Sequence, residues 1–423
     1  MTTRPARPNA RYRLALAIDR RVGSLLCWLL LAAKALRRTQ PPLPPAEVER
    51  ILLLKMWGMG SIVLVSSIFR ETRRLYPNAK IDVITLHENL ALLALYPEVE
   101  RKFALDLSRG VVSFLFQTLS MLRRLRRERY DLLLDFEFFT RFSAIFSFLA
   151  GARRTHGFSA KSQARGRLHD VEVPFNSYQH VAVNFLSLLR GGAMEPSPRE
   201  EVFGQPVLPL LAAPAAAWER CRAALEADRA FDGARALVVV NPNAGDMALE
   251  RRWPAERVVE LLRDLVREPV NVVLTGSPGE RAYVDALVGA SGVAERLVNL
   301  AGRIGIPELI ALLGRARVVV SNDSGPLHLA AAAGADTVAL FGPETPVLYG
   351  PLTSRSGQRH SVHYRALACS PCMFVHDNKE LSCWFARAVC LTGIEPRAVL
   401  ESVRGHLAEG DAARERLATT VRE

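Results

Sequence analysis

The chain has 423 residues, of which 49% are apolar, and it carries a formal net charge of +12. This length exceeds what one hydrophobic core usually supports, so two domains are expected. The basic charge predicts acidic partners, but the arginines are spread among helices with few aromatic residues between them. Together with the lack of a nucleic-acid motif, this favours an anionic lipid or a phosphorylated substrate and disfavours nucleic acid.

Residues 1–45 are predicted to form an N-terminal arm. Tyr12 to Arg38 is predicted to be a helix, with an uncharged apolar run from Val22 to Ala33 between basic residues. That run is well short of the roughly 20 residues that span a bilayer. A signal peptide is one alternative, but cations follow the apolar run at once. The pattern favours a helix in the membrane interface, and a second alternative is a helix packed on the protein's own surface. The prolines from Pro41 to Pro45 predict a stiff spacer.

Residues 46–205 are predicted to form a first α/β domain. Its predicted strands are Arg50 to Met56, Lys80 to Leu86 and Asp131 to Phe136. The first predicted helix runs from the loop after the first strand to Leu75, and the others are Asn89 to Leu95, Val111 to Arg129 and Tyr178 to Leu189. The loop after the first strand contains Gly58 and Gly60, and a strand–GxG–helix turn lets a ligand approach the backbone closely. The turn-rich stretch GARRTHGFSAKSQARGRLHD is predicted to present cations to a phosphorylated sugar acceptor. These cations are Arg153, Arg154, His156, Lys161 and Arg165.

Residues 206–423 are predicted to form a second domain, after the linker EPSPREEVFGQPVLP. Its predicted strands are Ala236 to Asn241, Asn271 to Thr275, Arg317 to Ser321 and Thr337 to Phe341, and its predicted helices are Pro214 to Ala227, Pro254 to Val266, Glu280 to Val288, Pro307 to Gly314, Leu327 to Ala333 and Glu395 to Leu407. Strand–helix alternation on both sides of one linker predicts two doubly wound α/β domains that face each other across a cleft.

The most informative stretch is RVVVSNDSGPLHLAAAAGADTVALFGP, from Arg317 to Pro343. A buried-type strand runs into a turn, and a packed Ala/Leu helix follows with Ser324 as its predicted N-cap. Ligands of open α/β sheets bind at the carboxyl ends of strands, and a helix N-terminus there favours anions. Asp323, Gly325 and His328 are therefore placed, with Ser324, where a phosphorylated ligand would lie. The alternative is that Asp323 only caps the helix and His328 is a packed core residue.

The six cysteines predict a reducing compartment, because a chain of this length does not need disulfides. The last four, Cys369, Cys372, Cys383 and Cys390, have the spacing C-x2-C-x10-C-x6-C. This spacing is looser than that of standard zinc ribbons. Reduced thiols or a local disulfide are favoured, and a structural metal is a possible but disfavoured alternative.

The run NDSGPLHLAAAAGADTVALFGPETP resembles the signature of glycosyltransferase family 9, the ADP-heptose:lipopolysaccharide heptosyltransferases. The runs ILLLKMWGMGSIVLVSSIFRETRRLYPNAKIDVIT, YDLLLDF with GARRTHGFS, and VVNPNAGDMALERRWP are similar to the same family in the same order. The resemblance covers about residues 48–405. It implies a GT-B architecture, in which the final helices pack back against the first domain, and inverting transfer from a nucleotide-activated heptose.

Matched residue by residue, the resemblance places the nucleotide sugar on the second domain. It implies that Arg251 pairs with the diphosphate and that Glu280 accepts from a ribose hydroxyl. It also implies that the turn at Asp323, Ser324, Gly325 and His328 holds the diphosphate and heptose. No metal is needed if Arg251 and the helix N-terminus neutralise the leaving diphosphate, and the sequence has no pair of carboxylates suited to a divalent ion.

The acceptor side departs from the family pattern at Ser61. The resemblance implies an Asp general base at this position, next to Gly58 and Gly60, and a serine hydroxyl does not take up a proton at neutral pH without help. Glu137 is a candidate replacement, because it follows a strand at its carboxyl end. A different acceptor or donor, and loss of activity, are the two alternatives. Arg153 and Arg154 are the candidate acceptor-binding cations.

The predicted function is therefore transfer of a heptose or related sugar from an ADP-sugar to a lipopolysaccharide-core or glycolipid acceptor. The predicted location is cytoplasmic, peripheral on the inner membrane and in contact with its anionic surface, and no cofactor is expected. Two alternatives remain: a non-catalytic nucleotide-sugar-binding protein of the same fold, and a nucleotide-sugar epimerase of similar fold.

Overall fold

The structure is a computed structural model that describes residues 17–36, 41–137, 140–159, 164–191, 206–245, 249–373, 383–385 and 388–420, with side chains up to residue 408. Two compact units divide between Pro206 and Val207. The sequence places its boundary between residues 205 and 206. Most of the predicted linker and the residues of the arm before Ala17 lie outside the described residues.

The first unit is built on a parallel six-stranded sheet with the order β3-β2-β1-β4-β5-β6. Its strands are β1 (Arg50–Leu54), β2 (Lys80–Leu86), β3 (Val99–Leu105), β4 (Leu132–Asp135), β5 (Arg154–Ser159) and β6 (Val171–Pro174). Its helices are α1 (Ser24–Ala35), α2 (Met59–Val65), α3 (Phe69–Leu75), α4 (Leu90–Leu93), α5 (Val111–Glu128), α6 (Arg141–Ala150) and α7 (Val181–Leu189). The central strands are continuous apolar runs because helices cover both of their faces.

The second unit repeats this plan with the sheet order β12-β11-β10-β7-β8-β9. Its strands are β7 (Ala236–Asn241), β8 (Val270–Leu274), β9 (Leu297–Asn299), β10 (Val318–Asn322), β11 (Asp336–Phe341) and β12 (His360–Tyr364). Its helices are α8 (Ala215–Glu226), α9 (Ala255–Leu265), α10 (Arg281–Ser291), α11 (Ile306–Leu313), α12 (Gly325–Ala332), α13 (Pro346–Tyr349), α14 (Val389–Thr392) and α15 (Pro396–Thr420). All of the strand pairs are parallel in both units.

The prediction of two doubly wound α/β domains is confirmed, and the errors concern strands away from the centre of each sheet. The strands β3, β6, β9 and β12 were not predicted, and β5 was predicted as loop. β6 and β9 are only four and three residues long. β3 and β12 are edge strands with half-exposed charged or polar positions. Edge strands have solvent on one side, so they do not show the continuous apolar run of a central strand.

The arm contains a helix that packs on the first unit. A short π-helical turn, Asp19–Gly23, leads into α1. Cys27 of α1 is fully buried in a small core with Ala144 and Leu168. Both carboxylate oxygens of Asp19 accept a hydrogen bond from the Arg141 N–H at 3.0 Å, so Asp19 caps the first turn of α6. The arm is therefore part of the first unit's packing on one of its faces.

The long helix α15 packs against α9, β10 and β11 of the second unit. Its residue Val399 is fully buried in the core of that unit. The expectation that the final helices also pack back on the first domain stays a prediction. None of the helices in the described part of the chain combines the length and apolar character that crossing a membrane requires.

Candidate active site

Each sheet has one topological switch point, where the chain connections leave in opposite directions. In the first unit it lies between β1 and β4, and in the second unit between β7 and β10. Ligands of doubly wound folds bind outside the carboxyl ends of the strands at such a point. The two loops that contain most of the predicted site residues follow β1 and β10, so both belong to switch points.

In the second unit, β10 ends at Asn322 and α12 begins at Gly325. Ser324 is the N-cap with an extended backbone (φ −157°), and Pro326 lies in the first turn. The Ser324 hydroxyl lies 3.2 Å from the Ser321 hydroxyl. Because the first N–H groups of a helix have no partners within the helix, this turn presents donors and a positive dipole end at the switch point. Such a turn binds anions.

The cation of the site comes from the loop after β7. Arg251 Nη1 donates to Asp323 Oδ2 at 3.1 Å, and its Nη2 donates to the Ala244 carbonyl at 3.1 Å. Both side chains are almost buried, with 11% and 4% of their surface exposed. The structure therefore brings Arg251 to Asp323 and its neighbour Ser324, 72 positions further along the chain. The ion pair fixes the guanidinium next to the N-terminus of α12.

A neutral amide network holds this arrangement in place. Asn322 Oδ1 accepts the Trp253 N–H at 3.0 Å, and Asn322 Nδ2 donates to the Asn243 carbonyl at 3.1 Å. Asn243 Nδ2 in turn donates to the Thr275 carbonyl at 3.1 Å. These contacts join the ends of β7, β8 and β10. The network fixes the loop of Arg251 without placing another charge in the site.

Two further residues that were predicted to bind the nucleotide sugar, His328 and Glu280, belong to the same unit. His328 is buried in the first turns of α12. Glu280 Oε2 accepts the Ser277 N–H at 2.8 Å as part of a capping box. That contact gives Glu280 a structural role in a short helical turn, and its predicted contact with a ribose stays a prediction.

In the first unit, the loop after β1 contains Gly58, Gly60 and Ser61. Gly58 has a φ of +84°, which a residue with a side chain rarely adopts, and it is the N-cap of α2. Ser61 lies in the first turn of α2, and its Oγ is 3.3 Å from the position that a Cβ at Gly58 would take. The glycine thus allows the tight turn that brings Ser61 to the carboxyl edge of the sheet.

Glu137 lies two residues beyond β4 and is fully buried. Its Oε1 accepts three hydrogen bonds, from Lys55 Nζ at 2.8 Å, the Met56 N–H at 2.8 Å and the Trp57 N–H at 2.9 Å. Its Oε2 has no hydrogen-bond partner among the described residues. These contacts make Glu137 the support of the glycine loop. They favour this role over general-base catalysis, which stays a prediction.

A second buried charge cluster lies beside this loop. Asp135 Oδ2 accepts from Arg165 Nη2 at 3.0 Å and from His169 Nε2 at 3.1 Å, and Oδ1 accepts the Glu137 N–H at 2.9 Å. Burial by itself raises the pKa of Asp135, but the hydrogen bond from His169 and the charge of Arg165 outweigh it and lower that pKa. Asp135 therefore stays charged and fixes the backbone of Glu137.

The predicted acceptor-binding cations are not brought together with this loop. Arg154 opens β5 in register with Leu132, the first residue of β4. Arg153 and Arg154 thus lie at the amino edge of the sheet, whereas Gly58 and Gly60 lie at the carboxyl edge. His156 and Arg165 were expected in a cationic loop cluster, and this is wrong: His156 is buried within β5 and Arg165 is buried against Asp135. Lys161 lies outside the described residues.

The four C-terminal cysteines carry reduced thiols in this structure. No group of three or more His, Cys, Asp or Glu side chains is placed to hold a metal ion in the described parts of the chain. Burial raises the pKa of Cys372 to about 11, and neighbouring Cys390, Cys369 and Cys383 add to the effect. A structural metal here stays a disfavoured prediction.

The residues that sequence reasoning missed are those that support the site. Lys55, Asp135, Arg165 and His169 were read as parts of strands or loops. A signal did exist, because a lone Lys or Asp at the end of an all-apolar strand is a buried charge that requires a partner. The partner itself is not visible in the sequence, since Lys55 and Glu137 are 82 positions apart.

Two Rossmann-like domains, the second with an anion-binding turn at its switch point, define a glycosyltransferase of the GT-B class. Residues 118–377 match the family described as glycosyltransferase family 9 (heptosyltransferase), which is more than half of the chain. The chain therefore belongs to glycosyltransferase family 9 and is an enzyme.

Individual relatives agree with this assignment. The lipooligosaccharide heptosyltransferase 2 of Haemophilus influenzae is 27% identical over 309 residues, 72% of this chain and 87% of that protein. The solved E. coli ADP-heptose LPS heptosyltransferase II has the same fold, with a TM-score of 0.67 at 21% identity over 86% of this chain and 99% of that one. The E. coli heptosyltransferase WaaC with ADP-2-deoxy-2-fluoro heptose has a TM-score of 0.57 at 17% identity, over 84% of this chain and 99% of that one.

Proposed function

We propose that this enzyme transfers a heptose from ADP-heptose to a lipopolysaccharide-core or related glycolipid acceptor, with inversion at the anomeric carbon. The observation that carries the proposal is the Arg251–Asp323 pair at the N-terminus of α12. Relatives named as heptosyltransferases add support, and one of them was solved with an ADP-heptose analogue. Family membership favours this activity over the epimerase and over a binding protein without activity.

The chemistry requires the second unit to stabilise a leaving nucleoside diphosphate. We propose that Arg251 and the Gly325 N–H at the start of α12 bind the diphosphate oxygens, because both are donors already fixed in place. Asp323 orients the guanidinium through its 3.1 Å ion pair. Ser324, Gly325 and His328 would line the diphosphate and sugar, and Glu280 the ribose. The donor site in this proposal needs no metal ion.

On the acceptor side, the proposed contact surface is the loop of Gly58, Gly60 and Ser61. The acceptor hydroxyl needs a base within hydrogen-bond reach. Glu137 is a candidate whose fully buried carboxylate already accepts three hydrogen bonds, so its support of the loop is the better-founded role. Arg153 and Arg154 would contact the acceptor only if it extends to the amino edge of the first sheet.

The direct test is an incubation of the purified enzyme with ADP-heptose and a truncated lipopolysaccharide core, followed by mass spectrometry. Transfer should add one heptose to the acceptor and release ADP. Release of ADP with free heptose would show a donor site without acceptor recognition. Binding of ADP-heptose without turnover, or isomerisation of the sugar, would overturn the proposal in favour of a binding protein or an epimerase.

We further propose that the enzyme is peripheral on the cytoplasmic face of the inner membrane and is attached through α1. One face of α1 packs on α6, and the opposite face is apolar and exposed. Its exposed residues Leu25, Leu26 and Leu29 follow helical spacing together with Val22 of the preceding π-helical turn. Arg20 and Arg21 precede them, so an apolar face with cations at its end can bind an anionic bilayer.

Removing the whole arm is a poor test, because it would uncover Ile145 and Phe148 and remove the Asp19 cap from α6. The variant Leu25→Gln/Leu29→Gln keeps this packing. It should bind vesicles of anionic lipid more weakly than the unaltered enzyme in sedimentation. Binding of the unaltered enzyme should also weaken as salt rises, because surface attraction is screened within about 8–10 Å at physiological ionic strength. Binding that is indifferent to both changes would contradict the attachment.

A further inference from the structure

A second apolar face lies on α5, next to the basic C-terminal end of that helix, RRLRRER. Val111, Val112, Leu115, Phe116 and Leu119 are all exposed, with Val112 at 68% and Phe116 at 69%. They lie in the first turns of the helix, while Leu122 and Leu125, one to two turns further along, are buried in the core of the first unit. Contiguous exposed apolar side chains of this size on a soluble fold mark an interaction surface.

The charged side chains within this part of α5 are all basic, and the adjacent Asp106, whose main chain bonds Gln117 of α5, is paired with Arg109. No acidic residue occurs from Val111 to Arg127. Arg123 and Arg127 continue the exposed side of the helix beyond Leu119, and neither has an ion-pair partner among the described residues. The one acidic residue at the end of the helix, Glu128, is engaged by Arg50 and Arg101. An apolar stripe followed by unpaired arginines matches an anionic lipid surface.

The helix α5 shares packing partners with the arm helix α1 and with the loop of Gly58 to Ser61. α5 and α1 both pack on α6, which contributes Phe142 and Phe146 to one core and Ile145 and Phe148 to the other. The first turns of α5 follow β3, so they start at the carboxyl edge of the first sheet. Phe114 of α5 and Trp57 of the acceptor loop pack on the same buried cluster.

We propose that the apolar side of α5, from Val111 to Leu119, is a second bilayer-contact surface that acts together with α1. This inference rests on the proposed membrane attachment and deepens it. The occupant is the interface of an anionic bilayer, with the apolar side chains among the acyl-chain boundary and Arg123 and Arg127 at the headgroups. A lipid-anchored acceptor in the same bilayer would then meet the loop of Gly58 to Ser61 from the adjacent edge of the sheet.

The test compares variants of the full chain in sedimentation with vesicles of phosphatidylglycerol and phosphatidylethanolamine. The stripe variant, Val112→Gln/Phe116→Gln/Leu119→Gln, replaces three of the exposed apolar residues of α5, at positions i, i+4 and i+7. Tyr178→Gln/Val207→Gln is the matched control, because both residues are exposed and lie outside these helices. Leu25→Gln/Leu29→Gln reports on the arm. All should unfold at the temperature of the unaltered enzyme, since each changed side chain is exposed.

We expect the stripe variant to partition onto the vesicles at least about tenfold more weakly than the unaltered enzyme. That factor corresponds to about 1.4 kcal/mol, which is less than the burial of one apolar side chain typically contributes. The control should bind unchanged. Arg123→Gln/Arg127→Gln should lose part of the preference for anionic over zwitterionic vesicles. The stripe variant should also lose transfer to a vesicle-embedded acceptor while keeping transfer to a delipidated, water-soluble one.

Failure of the two proposals is distinguishable. If the unaltered enzyme does not bind vesicles, the membrane attachment itself fails. If it binds and only the arm variant weakens, the attachment stands and the role of α5 is wrong. If the stripe variant changes a dimer to a monomer in analytical ultracentrifugation without changing vesicle binding, the face is occupied by a second copy of the chain and the inference is overturned.

Discussion

The two switch points of this enzyme are built from different kinds of polar group. In the first unit, charged side chains are buried behind the loop: Lys55 with Glu137, and Asp135 with Arg165 and His169. In the second unit, neutral amides of Asn243 and Asn322 join the strand ends, and a single ion pair stands at the turn.

This difference indicates different tasks. Buried charges at the first switch point are satisfied by each other and by backbone groups, so their effect is to hold one loop conformation. The second switch point leaves a cation and a helix N-terminus where we propose that the diphosphate binds, and neutral groups hold them. Charges that support a loop should affect stability when changed, and charges that face a ligand should affect activity.

The largest effect is expected from breaking the Lys55–Glu137 pair. Lys55→Met leaves a fully buried carboxylate without its cation, and this typically destabilises a protein by about 3–5 kcal/mol. Denaturant unfolding measures the change. The double variant Lys55→Met/Glu137→Gln removes both charges and should recover part of the loss.

The double variant also separates support from catalysis. If Glu137 is the general base, turnover should stay two or more decades below that of the unaltered enzyme even where stability recovers, since general bases contribute about 10²–10⁴-fold. If it only supports the loop, turnover should recover together with stability. A Lys55→Met variant as stable as the unaltered enzyme would contradict the comparison.

Arg251 tests the second switch point. Arg251→Met should lower kcat/KM for transfer by about 10²–10³-fold, because it removes a fixed donor from the leaving diphosphate. Arg251→Lys is the matched control: it keeps the charge but loses the bidentate fork, so it should fall in between. Calorimetry with ADP should show weaker binding in the same order. Unaltered ADP affinity and turnover in both variants would place the donor elsewhere.

A third effect concerns the pH dependence of stability in the first unit. Burial lowers the pKa of His156 to about 4, and its ring contacts the Leu188 carbonyl at 3.0 Å. Because the unfolded chain takes up this proton near pH 6.5, the stabilising effect is complete above that pH and is lost as pH falls towards 4. The loss is about 3 kcal/mol at 1.36 kcal/mol for each pH unit.

Unfolding free energies of the enzyme and of His156→Gln, measured between pH 7 and pH 4.5, check this expectation. The variant should show a flatter profile, because it has no group that titrates at this position. His360, whose pKa burial also lowers to about 4, remains in both proteins as a common background. Parallel profiles would mean that His156 does not contribute.

The smallest effect is expected at Ser61. Ser61→Ala should reduce turnover less than tenfold, because the hydroxyl is not a base and the Gly58 turn is unaffected. Ser61→Asp should raise turnover if an acceptor proton is otherwise transferred slowly. A loss of more than a hundredfold in Ser61→Ala would instead show that the hydroxyl positions the acceptor.

Local patterns in the sequence determined much of this protein. Continuous apolar runs such as RILLL and LVVV with helices between them predict parallel, doubly covered strands, because only strands buried on both faces have no polar positions. The turn at Ser324 and Gly325 was predictable for a similar reason. Cap and glycine signals act within a few residues, so the sequence displays both partners.

Tertiary structure alone decided which distant charged side chains pair with each other. Lys55 meets Glu137 across 82 residues, and Arg251 meets Asp323 across 72. Strand register placed Arg154 at the opposite edge from Gly58, although both are in motifs of one family. An edge strand such as β12 has no characteristic sequence pattern of its own, and it is a strand because it pairs with β11. These outcomes depend on pairing between distant segments, which no local pattern specifies, and so they follow from the packing of the whole domain.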